Sequence, residues 1–125
     1  MKKVLIGILF ALSLAGCAQL QQLTTVATAT VTPTEAIVAA NSYDAIEAGA
    51  TAFLTFCKSN PSNTNCIAGN RRNVISYTRS GRAARNQIET YIQSSSSIPS
   101  AIYNTLVTAV NNLKTTPAVN YIGAQ

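Results

Sequence analysis

The sequence predicts an all-α fold, a small antiparallel bundle of three helices held by one disulfide. Apolar residues recur at intervals of three and four in three separate segments, which is the spacing of one face of an α-helix. Polar stretches rich in serine, asparagine and proline separate these segments, and short connections favour antiparallel neighbours. Two cysteines, Cys57 and Cys66, flank the first of these stretches.

The first helix is predicted to begin at Pro33. Thr32 before it is a favoured N-cap, and Glu35 completes a capping box. Polar residues over 58–65 end this helix. Residues at alternating intervals of four and three are expected to form its core face: Val38, Ser42, Ala45, Gly49, Ala52 and Phe56, with Ile46 and Phe53 beside them. The small residues in the middle of this face would let another helix approach closely.

The second helix is predicted from about residue 70 or 72 to Gln93, and the third ends before Pro117. The expected core stripe of the second helix is Val74, Tyr77, Gly81, Ala84, Ile88 and Tyr91, and that of the third is Ile102, Leu106, Ala109 and Leu113, with Val110 adjacent. We therefore expect a three-helix domain over 33–116. A C-terminal tail over 117–125 should rest on the bundle through Val119, Tyr121 and Ile122.

The first sixteen residues have the features of an export signal. Lys2 and Lys3 supply the charged start, and residues 4–14 are apolar. At about 11 residues this stretch is too short to span a bilayer, which takes about 20. Two small residues then precede Cys17, as a signal peptidase requires. We therefore interpret residues 1–16 as a signal peptide.

The string Leu14-Ala15-Gly16-Cys17 resembles the lipobox of bacterial lipoproteins. In that family the cysteine thiol receives a diacylglyceryl group, the preceding peptide is removed, and the new amine is usually acylated. The resemblance implies a lipid on Cys17 and a lipid-anchored tether over 17–32, either a frayed helix or an extended leash. Under the rules of enteric bacteria, Ala18 implies the outer membrane, facing the periplasm. The alternative is an ordinary signal peptide or apolar anchor in which Cys17 is incidental.

Removing the signal peptide changes the charge of the chain. It leaves 109 residues, enough for one small domain, with seven basic and four acidic residues, so the net charge is +3 rather than +5. Only 10% of all residues are charged and histidine is absent. Such a surface is unlike the basic face of a nucleic-acid-binding protein, so no nucleic acid is expected as a partner.

In an exported chain, Cys57 and Cys66 are expected to form a disulfide. The absence of histidine and of a third free thiol argues against zinc, and no metal or cofactor is expected. Eight residues separate the two cysteines, whereas redox-active pairs have two. In the loop-entropy model, a bridge that closes about ten residues contributes roughly 2.5–3 kcal/mol of stability.

Five of the seven basic residues lie within fifteen positions of the predicted second helix: Arg71, Arg72, Arg79, Arg82 and Arg85. At helical spacing they fall within an arc of about 140°, opposite the core stripe, and should form an exposed basic ridge. Guanidinium groups in this arrangement suit lipid head groups, lipopolysaccharide phosphates or an acidic protein surface. The alternative is a solvated helix face that serves solubility alone.

Asp44 and Glu47 lie one turn apart on the first helix. Paired carboxylates can perform acid and base chemistry, but a salt link to the arginine helix is favoured here, with Asn41 hydrogen-bonded inside the bundle. The sequence offers neither a histidine base nor a Ser-x-x-Lys or Gly-x-Ser-x-Gly string. A glycine-rich phosphate loop is also missing. We therefore expect a protein that is not an enzyme.

Three strings resemble a family of small, uncharacterised helical proteins of alphaproteobacteria and their prophages: Asn41-Ser42-Tyr43-Asp44-Ala45 with Glu47, the Cys57 to Cys66 loop, and Arg79-Ser80-Gly81-Arg82-Ala83-Ala84-Arg85-Asn86. The resemblance covers residues 38–92 and implies a helical domain of bacterial or phage origin. The resulting hypothesis is a non-enzymatic lipoprotein that contacts another envelope component. The alternative is a phage-encoded envelope effector, for superinfection exclusion or as a lysis accessory.

Overall fold

The computed structural model describes residues 24–26 and 30–123, and within them the chain forms a small all-α fold, as predicted. Its helices are α1 (Pro33–Ser59), α2 (Ala68–Gln93) and α3 (Ser100–Lys114). Two-residue strands β1 (Thr30–Val31) and β2 (Ile98–Pro99) pair antiparallel, and short 3₁₀ helices span Thr64–Cys66 and Pro117–Tyr121. The predicted signal peptide and Cys17 lie outside the described residues.

The start of α1 is the predicted capping box. The Glu35 N–H donates to the Thr32 hydroxyl at 3.3 Å, and the Thr32 N–H donates to a Glu35 carboxylate oxygen at 3.0 Å. The Thr32 hydroxyl also donates to this carboxylate, at 2.7 Å. The bonds from the Thr32 hydroxyl and from its N–H favour the charged carboxylate, so the pKa of Glu35 is lowered from its usual range. The predicted first residue of the helix, Pro33, is thereby confirmed.

The core face of α1 agrees with the prediction in part. Its buried residues follow intervals of four and three: Ala39, Tyr43, Ile46, Ala50, Phe53 and Cys57. The predicted Val38, Ala45, Ala52 and Phe56 are only half-buried. Four predicted core residues are buried as expected: Ser42, Ile46, Gly49 and Phe53. The prediction omitted Tyr43, whose fully buried ring removes more apolar surface from water than a small side chain would.

The α1–α2 crossing is built on Tyr43 and Gly81. A Cβ atom at Gly81 would overlap the Tyr43 ring, at 2.8 Å from its Cδ2 atom, and would lie 3.0 Å from the Cβ of Ala109. The Tyr43 hydroxyl donates to the Thr78 carbonyl oxygen at 2.7 Å. The missing side chain of Gly81 therefore makes room for an aromatic ring of α1.

The small residues of α1 contact the C-terminal segment instead. A Cβ atom at Gly49 would lie 2.9 Å from the Ala118 carbonyl oxygen. Ala118 is fully buried, and the Tyr121 ring packs 5.6 Å, between centroids, from the ring of Phe53. Of the predicted contacts, Tyr121 and Ile122 pack against the core, whereas Val119 is exposed. The segment predicted as a tail thus covers one side of α1.

The end of the predicted tether also belongs to the fold. Val31 is buried and pairs with Ile98, whose side chain is buried as well. Upstream, the Asn104 side chain of α3 accepts from the Val26 N–H and donates to the Val26 carbonyl oxygen, both at 2.9 Å. At Val26 and at residues 30–31 the predicted tether therefore contacts the bundle.

The disulfide between Cys57 and Cys66 is present, as predicted, with Cα atoms 5.2 Å apart. Both residues are buried in the core. The bond connects the last turn of α1 to the 3₁₀ helix that precedes α2, and so holds the two helix ends together at one end of the bundle.

We predict that Gly81→Ala destabilises the chain by about 2 kcal/mol in urea unfolding, because the fully buried Tyr43 ring has no room to move aside. Gly69→Ala on the same helix is the matched control, since nothing lies within 4 Å of a Cβ there. The control should gain up to about 0.5–1 kcal/mol from helix propensity. Equal effects at the two positions would contradict the described crossing.

Candidate functional site

The five arginines of α2 fall into two groups. Arg82 and Arg85 form ion pairs with carboxylates of the bundle. No described carboxylate lies within ion-pair distance of the other three arginines, which are Arg71, Arg72 and Arg79. The predicted ridge is therefore a paired segment in the middle of the bundle and an unpaired segment towards the disulfide.

The paired arginines connect α2 to α1. Arg85 binds Asp44 in a fork, with Nε–Oδ1 and Nη2–Oδ2 both at 3.1 Å, and also contacts Glu89 one turn further along α2. Arg82 holds Glu47, with Nη2–Oε1 at 2.5 Å. These hydrogen bonds raise the pKa of both guanidinium groups. The predicted salt link between the helices is confirmed.

The two carboxylates of α1 do not share one site. Asp44 and Glu47 each bind a different arginine, and their side chains are 43% and 21% exposed. Asn41 is exposed, so its predicted hydrogen bond inside the bundle is wrong. The arrangement gives the carboxylates a structural role in helix pairing.

The unpaired end of α2 borders a groove against α1, with a volume of about 370 Å³. We name it the basic groove, and its lining residues are Leu54, Lys58, Ala68, Arg71, Arg72 and Ile75. Lys58 lies in the last turn of α1, where a cation is favoured by the helix dipole. The lining contains three cations and two large aliphatic side chains but no carboxylate.

The net charge of the domain is concentrated at this groove. All four acidic residues of the chain lie elsewhere: Glu35 caps α1, and the other three pair with Arg82 or Arg85. The three cations of the groove equal the net charge of +3 that remains after residues 1–16 are set aside. The bundle is thus electrically polarised along its length, with its positive end at the disulfide.

A second groove runs between α2 and α3. It is lined by hydroxyl, amide and alanine side chains, among them Tyr77, Ser80, Thr108 and Asn112, and by Asn104, which binds the backbone of Val26. This lining carries no carboxylate and no cation. Within the described residues there is no group of three metal-ligating side chains, and none of the described helices is long and apolar enough to cross a membrane.

The sequence prediction missed the contribution of α1 to the basic groove. The sequence does contain a signal for the groove, because residues at helical spacing share one face of a helix. Leu54 and Lys58 are four residues apart on α1, and Ala68, Arg72 and Ile75 have helical spacing on α2. Joining the two stripes requires knowing that the disulfide brings these helix ends together, and that both stripes face the same side.

Comparisons with protein-family models, with curated proteins and with solved structures found no match. The resemblances to bacterial lipoproteins and to the helical alphaproteobacterial family therefore stay predictions.

We predict a coupling energy of about 0.5–1 kcal/mol between Arg85 and Asp44 in a double-mutant cycle with Arg85→Gln and Asp44→Asn, because the contact is forked and half-buried. Urea unfolding at low salt measures it. In a control cycle, Arg72→Gln should show no coupling to Asp44→Asn. The described pairing would be refuted if Arg72 coupled to Asp44 as strongly as Arg85 does.

Proposed function

We propose that this protein is a lipid-anchored, non-enzymatic binding or structural module of the bacterial envelope, working at the periplasmic surface of the outer membrane. The observation that carries the proposal is the order of a charged start, an apolar run of about 11 residues, two small residues and Cys17. A disulfide-containing domain follows, and disulfides are typical of exported proteins.

The fold limits how far such an anchor would let the domain move. The first described contact of the chain with the bundle is at Val26, nine residues after Cys17. Nine residues span at most about 32 Å when fully extended. A lipid on Cys17 would therefore keep the bundle within about one bundle length of the bilayer. A flexible leash over 17–32 would allow a greater distance between the bundle and the bilayer.

The number of acyl chains matters for stable attachment. One acyl chain binds a bilayer only marginally, whereas two or three chains anchor firmly. The lipoprotein resemblance implies the larger number on Cys17. The anchored bundle would then meet its partner at a high effective concentration, so a modest contact surface such as the basic groove suffices for binding.

The binding role, rather than catalysis, is supported by the way the charged groups are used. Each carboxylate of the described bundle either caps a helix or pairs with an arginine. The groups left without an ionic partner are cations. Cations gathered around an apolar groove suit the binding of an anionic surface.

The proposal predicts that mass spectrometry of the protein from bacterial cells finds a chain that begins at Cys17 and carries two or three acyl chains. Cys17→Ser should abolish the added mass and move the protein out of the detergent-extracted lipoprotein fraction. Gln19→Ser, two positions along, is the matched control and should keep the lipid. An unmodified Cys17 in the mature chain would refute the proposal.

A further inference from the structure

The basic groove places unpaired cations beside exposed apolar side chains. We propose that this groove docks on a bilayer that contains anionic phospholipid, with Lys58, Arg71 and Arg72 on the phosphates and Ile67 and Ile75 at the acyl boundary. The inference rests on the proposed function, because it makes the membrane itself the partner of the anchored domain.

Charge complementarity is the first argument. Lys58, Arg71 and Arg72 are exposed, and no described carboxylate pairs with them. Arginine binds phosphate oxygens through two parallel N–H groups, and a basic cluster near an anionic bilayer gains affinity by about fivefold per residue. The remaining cations of the described bundle, including Arg82 and Arg85, are matched in number by its four carboxylates.

The exposed aliphatic side chains are the second argument. Ile67 is 58% exposed and Ile75 is 38% exposed, and they flank the start of α2 next to the arginines. An acidic protein surface would neutralise the arginines but leave this apolar area in water. A bilayer interface accepts both, since apolar side chains enter the head-group boundary while cations stay at the phosphates.

The position of the groove is the third argument. Lys58 lies 25 residues after Pro33 on α1, so the groove is about 37 Å from the end of the bundle where β1 enters. Nine extended residues span at most about 32 Å, less than this distance, so attachment at both points tilts the long axis of the bundle away from the bilayer normal. The Cys57–Cys66 bond holds the groove, the second attachment point, in place. Cys57 adjoins Lys58, and Cys66 precedes Arg71 by five residues.

The test uses residues 18–125, which retain every described residue and therefore every described contact, and carry no lipid. Co-sedimentation is measured with vesicles of phosphatidylcholine alone and with added phosphatidylglycerol. We expect binding only to the anionic vesicles. Arg71→Gln with Arg72→Gln should weaken that binding at least tenfold. The matched pair Arg79→Gln with Lys114→Gln removes the same charge from residues that do not line the groove and should weaken binding less than threefold.

A second pair of variants, Ile67→Ser and Ile75→Ser, tests the apolar part at constant charge. Both side chains are exposed, so the fold should tolerate the change, while binding to anionic vesicles should fall several-fold. Unchanged binding would overturn insertion at the acyl boundary. Equal losses from the Arg71–Arg72 variant and the Arg79–Lys114 variant would overturn the groove as the docking point.

Absence of vesicle binding would overturn the inference as a whole, and binding to polyglutamate instead would assign the groove to an acidic protein. Neither outcome bears on Cys17, because the tested chain lacks it. Failure of this inference and failure of the proposed lipid anchor are thus separate results.

Discussion

The packing of the Tyr43 ring over Gly81 is the contact on which the other features of the bundle depend. It lets α1 and α2 approach where a side chain would collide, and the hydroxyl hydrogen bond to Thr78 fixes their register. In that register Glu47, one turn after Tyr43 on α1, forms its ion pair with Arg82, the residue after Gly81 on α2. The same buried contact therefore decides which arginines are paired.

The pairing in turn decides where the charge of the protein is presented. Carboxylates occur only at the start of α1, in its middle and late in α2, so they neutralise Arg82 and Arg85. Towards the disulfide every charged residue of α1 and α2 is a cation, and aliphatic Leu54 and Ile75 lie beside these cations. A bundle with few charges thereby has one end that is positive and partly apolar. The cations at this end do not form an unusually long run in the sequence.

Local signals were sufficient for much of the fold. The capping box at Thr32, the helical periodicity and the cysteine pair each depend on nearby residues, and the structure confirms them. The predicted face of α1 is right at Ile46 and Phe53 but omits Tyr43, because periodicity counts positions and ignores the size of the side chains that pack. The contact of Asn104 with Val26 spans 78 residues, and the basic groove joins two helices, so neither follows from local patterns.

Titration of the tyrosines tests the central contact most directly. Burial raises the pKa of Tyr43 above its usual value of about 10.0. The folded chain therefore keeps this proton while the unfolded chain loses it, and stability falls as the pH rises above about 10. Phenolate absorbance of the native chain and of Tyr43→Phe, followed up to the onset of unfolding, should have equal amplitude. A smaller amplitude in the variant, by one phenolate, would show that Tyr43 ionises in the native state and contradict the buried crossing.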